Sequence, residues 1–498
     1  MRVLFLVTAW LLFLCQLKPT ECRRYRRRRL LSGESPEAQN RMKAGFNTFC
    51  GISSKSELYC WGNDILTEEP LLRPKLIDKG PWSQVGVGLR FLCALKTDDK
   101  NVYCYGSGYD GQLGDGSPIG EESVLKKLTP IVGAKEFDRL SVGTYHSCAI
   151  SDGNAFCWGQ NDYGQLGTGN NESSSTPMPV FSDLGNWREL SAGTGHTCAT
   201  KTNDEGWCWG HNQYKQVSPQ SEEVTLIPSK LEGKWKTISA GEDFTLGIDS
   251  LGGGFGWGLS EVLDVDFAYG GLLGDNGTLL CQPTANGFCE PTAPADSEVE
   301  EFSADDYYMY DIEVRYETPV PIAGANKWSS ISAGRIPCAI ESETGKLYCW
   351  GYTTGEAYAE GSPQTNYPVA VNSTGTWASI SSSDGGPRCG IKSDGTGWCW
   401  GRDEFDCENT CPLGDGTELN SATPVQVVDI QNWLGQSGAP PPTPSPVEPA
   451  PAPAPEGTIT STPPSPGVPP PSAAHGVLQY IPWAMFALLP IVLQVSVI

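Results

Sequence analysis

Six times along this chain a cysteine is followed nine to eleven residues later by another, and the second directly precedes an aromatic residue and a glycine. The pairs are Cys50/Cys60, Cys93/Cys104, Cys148/Cys157, Cys198/Cys208, Cys338/Cys349 and Cys389/Cys399. A seventh copy, Phe244-Thr245-Leu246 to Phe255-Gly256-Trp257-Gly258, carries Leu246 and Gly256 at the cysteine positions. Successive aromatic-glycine markers lie 44, 53, 51, 48, 93 and 50 residues apart. A period near fifty is the signature of a repeat architecture, in which each unit buries its faces only against its neighbours. The 93-residue interval reads as one copy plus an insertion, because Gly271-Leu272-Leu273-Gly274 within it still matches the Gly111-Gln112-Leu113-Gly114 type of segment.

Each cell reads as short strands joined by glycine turns, with Asp152-Gly153 marking a hairpin between two cysteine strands. At these spacings a first and second cysteine face each other across the hairpin. The tryptophan after the second cysteine then points to the opposite face, because side chains alternate along a strand. One face of each small sheet carries a disulfide and the other buries an indole against the next sheet. A cross-link over so short a loop contributes somewhat under ~3 kcal/mol.

Seven such sheets predict an all-β, seven-bladed β-propeller over residues 38–435, with disulfide-stapled blades. A Trp or Phe stands ten to twelve residues before the first-cysteine position in six copies: Trp82, Phe137, Trp187, Trp235, Trp328 and Trp377. The first copy has Gln39 there, and a seventh tryptophan, Trp433, follows the last copy. This circular offset predicts closure by pairing of the N- and C-terminal strands. The insertion, about residues 276–325, contains an acidic stretch with Asp305, Asp306, Tyr307, Tyr308 and Tyr310. It reads as a solvated loop or as a contact loop for a basic partner or Ca²⁺, although it lacks EF-hand spacing.

The ends of the chain speak to compartment. Residues 1–22 form an apolar leader of signal-peptide type. Residues 23–37 open with six arginines, read either as a processing site or as a solvated charge cluster. Removing the leader takes Cys15 and Cys22 and leaves sixteen of the 18 cysteines, an even number suited to an oxidising compartment. Cys281/Cys289 and Cys407/Cys411 complete the predicted disulfide set. Sequons at Asn171, Asn276 and Asn372 agree with export. Residues 436–471 are a Pro-rich stalk of extended polyproline-II type. Residues 472–498 fit a lipid-anchor signal with Ser472 as the attachment site; a single-pass helix is the alternative. The membrane would thus be met through the C-terminus.

The pattern Gly-x-x-x-x-Cys-Ala-Ile, Asp-Gly, Cys-Trp-Gly-x-Asn-x-x-Gly-Gln-Leu-Gly-x-Gly, clearest over residues 143–169, resembles the regulator of chromosome condensation repeat family. The resemblance implies a seven-bladed propeller. The Cys-Trp-Gly version is similar to the ectodomain repeats of plant crinkly-type receptor kinases. For the family's namesake the resemblance would imply nucleotide exchange on a small GTPase, which requires cytosolic or nuclear residence.

Chemistry is sparse. Formal charge is −24, which opposes nucleic-acid binding. His146 and His196 sit two residues before a cysteine in successive copies and read as structural residues of a strand or turn. No zinc-type cysteine clustering or nucleophilic triad is evident, so no catalytic residue, metal or cofactor is expected. The expected function is a cell-surface binding, adhesion or receptor-like module for a protein or glycan. A secreted propeller enzyme acting on polysaccharide is the alternative, and it would need carboxylates converging at the central channel.

Overall fold

A computed structural model describes residues 40–434, apart from 134, 182–184, 264–267, 271, 275–280, 284–288, 292–311, 325–326, 354–364 and 402–411. The described residues form an all-β, seven-bladed propeller. Five blades are separate four-stranded antiparallel sheets in simple up-and-down order. The innermost strands are Met42–Ala44, Trp82–Val87, Arg139–Val142, Trp187–Ala192, Trp235–Ala240, Trp328–Ser332 and Trp377–Ser382. Each touches the next around the axis, and the first touches the last, so the ring is closed.

The repeated cell explains how the blades stack. Cys148 lies directly opposite Cys157 in the ladder, and the two are bonded with their Cα atoms 4.1 Å apart. The other repeat pairs are bonded in the same way: Cys50 to Cys60, Cys93 to Cys104, Cys198 to Cys208, Cys338 to Cys349 and Cys389 to Cys399. Trp158 turns to the other face and is fully buried with Cys93 and Cys104 of the preceding blade. Likewise Trp209 meets Cys148 and Cys157, Trp257 meets Cys198 and Cys208, and Trp400 meets Cys338 and Cys349. In the fifth blade Leu246 pairs with Gly256, and its side chain fills the space the disulfide holds elsewhere.

Two of the stapled cysteines sit in surroundings that depart from the expected cell. Cys60, with Cys50, faces the partly buried Tyr105 of the second blade where the other disulfides named above face an indole. Cys349 lies on Leu347–Thr353, which continues outward to pair at Tyr352 and Thr353 with Ala268–Gly270, a strand that also pairs with the fifth blade. Plain alternation also breaks just after both residues. The register shifts between Cys60 and Gly62 and between Cys349 and Gly351, as it does between Cys157 and Gly159.

The glycine of Cys-Trp-Gly is the cause, because it forms a bulge. At Gly159 φ is 109°, and a Cβ there would lie 2.6 Å from the Tyr145 carbonyl oxygen, a contact that only glycine avoids.

Closure differs from the expected strand pairing. All four strands of the first blade come from the N-terminal side, and residues 427–434 add none. Met42–Ala44 already occupies the inner edge, leaving only the leading tryptophan to be supplied. Trp433 supplies it. Its N–H donates to the Gly395 carbonyl, just as Trp187 donates to Gly153 and Trp235 to Asp204 in the hairpin turns of their preceding blades. Its ring covers Gly51 as that of Trp235 covers Gly247. Asn432 O accepts from Ser54 N, and Arg41 Nε donates to Trp433 O.

The insertion is also narrower than expected. Ile312–Pro321 is the fourth strand of the fifth blade, paired along Gly254–Leu263, because each blade needs an outer strand before its successor begins. Ahead of the insertion, Ala268–Gly270 pairs with Val262–Leu263 on one side and with Tyr352–Thr353 of the sixth blade on the other. The fifth and sixth blades thereby share one nine-stranded sheet. The Gly-Leu-Leu-Gly match holds: Trp350 Nε1 donates to Leu272 O, as Trp158 donates to Gln112 O and Trp209 to Gln165 O.

Candidate functional site

The histidines are posts between blades. His146 Nε2 lies 2.7 Å from Thr197 Oγ1 of the next blade, and Thr197 Oγ1 donates to Gln165 O at 2.8 Å. The threonine's proton is thus committed, so His146 must donate from Nε2. His196, Thr245 and Gln216 O repeat this relay. Both imidazoles are fully buried, and burial pushes each down to about 3. They hold the scaffold and are unsuited to proton transfer near neutrality.

Where the copies differ, a mouth forms. In each inner strand the residue after the terminal glycine, or its equivalent, lies at one end of the central channel. Thr144, Thr194, Glu242, Arg335 and Asp384 hold this place in the third to seventh blades. Asp384 reaches across the ring: its Oδ2 accepts from Thr194 Oγ1 at 2.8 Å and from Thr144 Oγ1 at 3.3 Å. Glu242 is pushed up to about 7, first by burial and then by the negative charges of Asp384 and Asp243, with Arg335 opposing. Burial likewise raises Asp384, against the pull of both threonine hydrogen bonds. The mouth thus gathers the carboxyls of Glu242, Asp243 and Asp384 around Arg335.

Beside it lies an aromatic platform. Tyr163 and His211 have ring centroids 4.6 Å apart, and Tyr214 meets His211 edge-on at 6.2 Å. The platform stands on loops built by a repeated Asn-x-x-x-Gln pattern. Asn161 Nδ2 donates to Asn170 O and Glu172 O, and its Oδ1 accepts from Leu166 N. Gln165 Oε1 accepts from Tyr163 N. Asn212 and Gln216 do the same for Tyr214. His211 Nδ1 lies 3.4 Å from Asp243 Oδ1, linking platform to mouth. Tyr109 on the second blade is 56% exposed and Tyr163 is 43% exposed, so both rings are offered to solvent by loops that are themselves tied down. Next to Tyr109, Asp110 is raised by burial and then by Asp162. Arg315, on the strand that returns from the insertion, donates to Gln213 O, so the insertion returns beside this platform.

Of the residues singled out from sequence, Asp305, Asp306, Tyr307, Tyr308 and Tyr310 lie outside the described residues, as do Asn276, Cys407, Cys411 and Ser472. Asn171 and Asn372 are exposed. The twelve cysteines of the repeat pairs, Cys60 and Cys349 among them, are bonded and buried away from the mouth and platform, so they belong to the scaffold and offer no thiol for chemistry. Cys281 and Cys289 lie on two short antiparallel strands in which Cys281 faces Pro291 and Cys289 faces Pro283. The mouth residues carry no motif. Their only signal in sequence is disagreement at one position of an otherwise repeated strand. Among the described residues no group of three or more His, Cys, Asp or Glu side chains is placed to hold a metal ion. No helix among them is long and apolar enough to cross a membrane.

Comparison with known proteins agrees with the repeat pattern. Models of the regulator of chromosome condensation (RCC1) repeat match residues 152–200 and 137–165. The ultraviolet-B receptor UVR8 of Arabidopsis thaliana is 26% identical over 354 residues, covering 69% of each chain. Prp20p of Saccharomyces cerevisiae, whose structure was described with its binding to Gsp1p and histones, superposes with a TM-score of 0.51 at 19% identity, over 69% of this chain and 80% of that one. The crinkly ectodomain of the Arabidopsis thaliana receptor kinase ACR4 matches at a TM-score of 0.41 and 17% identity, over 73% of this chain and 94% of that one.

Proposed function

We propose that this RCC1-repeat propeller is a non-enzymatic binding module that works outside the cytosol and engages a basic segment of a protein partner where the aromatic platform of the third and fourth blades adjoins the channel mouth at the fifth. The observation that carries the reading is the joining of Tyr163, His211 and Tyr214 to the carboxyls of Glu242 and Asp243 on one face. Exposed tyrosines held rigidly by their loops supply contact area at little entropic cost, and they are enriched in interface anchors. A cation from the partner would relieve the repulsion that raises Glu242, and charge of this sign also steers encounter. The extracellular setting is supported by the six bonded cysteine pairs, by the leader-like residues 1–22 and by the two exposed sequon asparagines. The stalk at 436–471 and the anchor signal with Ser472 complete the proposal as a surface-tethered receptor or adhesion protein.

The test is affinity capture from cell-surface extracts with the secreted protein, wild type against a Tyr163→Ala/Asp243→Asn double variant. A partner retained by the wild type, eluted by salt and lost in the variant supports the reading. Equal capture by both contradicts it.

One observation favours the enzymatic alternative. Glu242 titrates near 7 beside the carboxyl of Asp384 at the channel mouth, a pairing of the kind used in glycoside hydrolysis. Release of reducing ends from a polysaccharide, abolished by Glu242→Gln, would establish it. Absence of release by the wild type across polysaccharide classes would remove it.

A further inference from the structure

The channel behind the mouth has a chemistry of its own. It encloses a cavity of about 180 Å³, well above the ~10–15 Å³ that one water requires. Its wall is the inner strands, and one serine recurs there in each of the third to seventh blades: Ser141, Ser191, Ser239, Ser332 and Ser381. Each Oγ accepts the backbone N–H of the next blade, from Ala192, Ala240, Ala333, Ser382 and Ala44 respectively, at 2.9–3.2 Å. A hydroxyl that has accepted a hydrogen bond still has its own proton to donate. The first two blades break this pattern, with Lys43 in the first and Gly86 in the second where the third to seventh carry serine.

Lys43 is half-buried on this wall. No hydrogen bond or ion pair engages its ammonium among the described residues, and burial alone brings the amine down to about 8. The other charged groups on the wall are Arg139, Glu189 and Asp384. Asp384 is held by Thr144 and Thr194 at the mouth. Glu189 is raised by burial against the pull of Arg188, Arg139 and a hydrogen bond with Thr237. An ammonium with free donors, ringed by hydroxyl donors in a polar cavity, lacks only an acceptor.

We propose that the channel is a binding site for a small anion, a carboxylate or an inorganic oxyanion, held by Lys43 Nζ and by hydroxyls of the inner-strand serines. This site is independent of the partner-binding mouth. An anion next to Lys43 favours the charged amine, so binding draws in a proton between about pH 8 and the ordinary lysine range.

The experiment is isothermal titration of the full chain with sodium acetate and with sodium sulfate at alkaline pH, in two buffers of different ionisation heat. Saturable binding with proton uptake is expected for the wild type. Lys43→Met should weaken it by roughly tenfold or more, and Lys43→Ser, which extends the serine pattern, gives the same readout if Met perturbs folding. Lys43→Arg should bind without proton uptake, since a guanidinium stays charged throughout. No saturable binding by the wild type, undiminished binding in both neutral variants, or unchanged proton uptake in Lys43→Arg would each overturn the proposal. If only one of the two anions binds, that anion defines the class.

Discussion

Trp433 and Trp61, from opposite ends of the propeller sequence, have ring centroids 5.4 Å apart. Both are fully buried, together with Cys389, Cys399 and Leu413 of the seventh blade. Trp433 bears the same relation to Trp61 that Trp235 bears to Trp257 at 5.3 Å, within a single blade. Trp433 therefore fills, from the far end of the propeller sequence, the place that its counterparts hold within their own blades, beside the Arg41 and Ser54 hydrogen bonds of the seam.

Trp433→Ala should cost about 3–5 kcal/mol, as for other fully buried aromatic truncations. Thermal unfolding of Trp433→Ala and Trp235→Ala should show losses of similar size. A stable Trp433→Ala beside a destabilised Trp235→Ala would show that the seam is held by other contacts.

The disulfides predict a graded resistance to unfolding. A Cys198→Ser/Cys208→Ser pair should lose up to ~3 kcal/mol. The fifth blade, with Leu246 opposite Gly256, should be insensitive to reductant. Hydrogen exchange before and after reduction reads this directly: protection should fall across the inner hairpins of the stapled blades and change least at Phe244–Asp249. Uniform loss in all seven blades would contradict local stapling.

Acid should weaken the fold through His146 and His196. Their folded values near 3 lie below the unfolded value near 6.5, so the unfolded chain binds more protons between these limits. Their contribution is complete above about pH 6.5 and declines as pH falls towards 3, by about 1.4 kcal/mol per pH unit per histidine at most. Glu242 acts with the opposite sign between its unfolded value of 4.5 and about 7, where its raised value makes stability fall as pH rises. Denaturant midpoints from pH 6.5 to 3.5 should therefore drop most steeply below about pH 4.5. The drop should flatten in His196→Gln. An unaltered slope in that variant would remove His196 from the account.

At the mouth, Asp384→Asn should lower the Glu242 carboxyl from its value near 7, since Asp384 is the foremost charge raising it. Asp243→Asn should lower it less. Carboxyl carbon shifts of Glu242 across the titration would decide. A Glu242 value indifferent to both substitutions would leave burial as its sole cause and weaken the case for clustered carboxyls at the mouth.

The repeat makes the blades legible before any coordinates. Cysteine spacing gives the hairpin register, and alternation assigns Trp158 to one face and Cys157 to the other. Features that depend on what a neighbour already supplies are not legible in this way. Residues 427–433 add no strand, since Met42–Ala44 fills the inner edge. Ile312–Pro321 looks like part of an acidic loop in composition, yet the open edge of Gly254–Leu263 makes it a strand. The strand of Cys349 reads as part of an independent blade, and only the fold shows its outer end joined to Ala268–Gly270. The mouth is less legible still. Thr144, Thr194 and Asp384 lie far apart in sequence, and only the ring's geometry brings them within hydrogen-bond reach. Lys43 is conspicuous only once its serine counterparts have been aligned by the fold.

The central claim, that the tyrosine-lined acidic mouth is the partner surface, is tested most directly by hydrogen exchange of the propeller with and without a lysine- and arginine-rich peptide. The account predicts salt-sensitive protection confined to 109–112, 160–165, 211–216 and 242–243, lost in Tyr163→Ala/Asp243→Asn. Protection on other surfaces, or none at low salt, would contradict it.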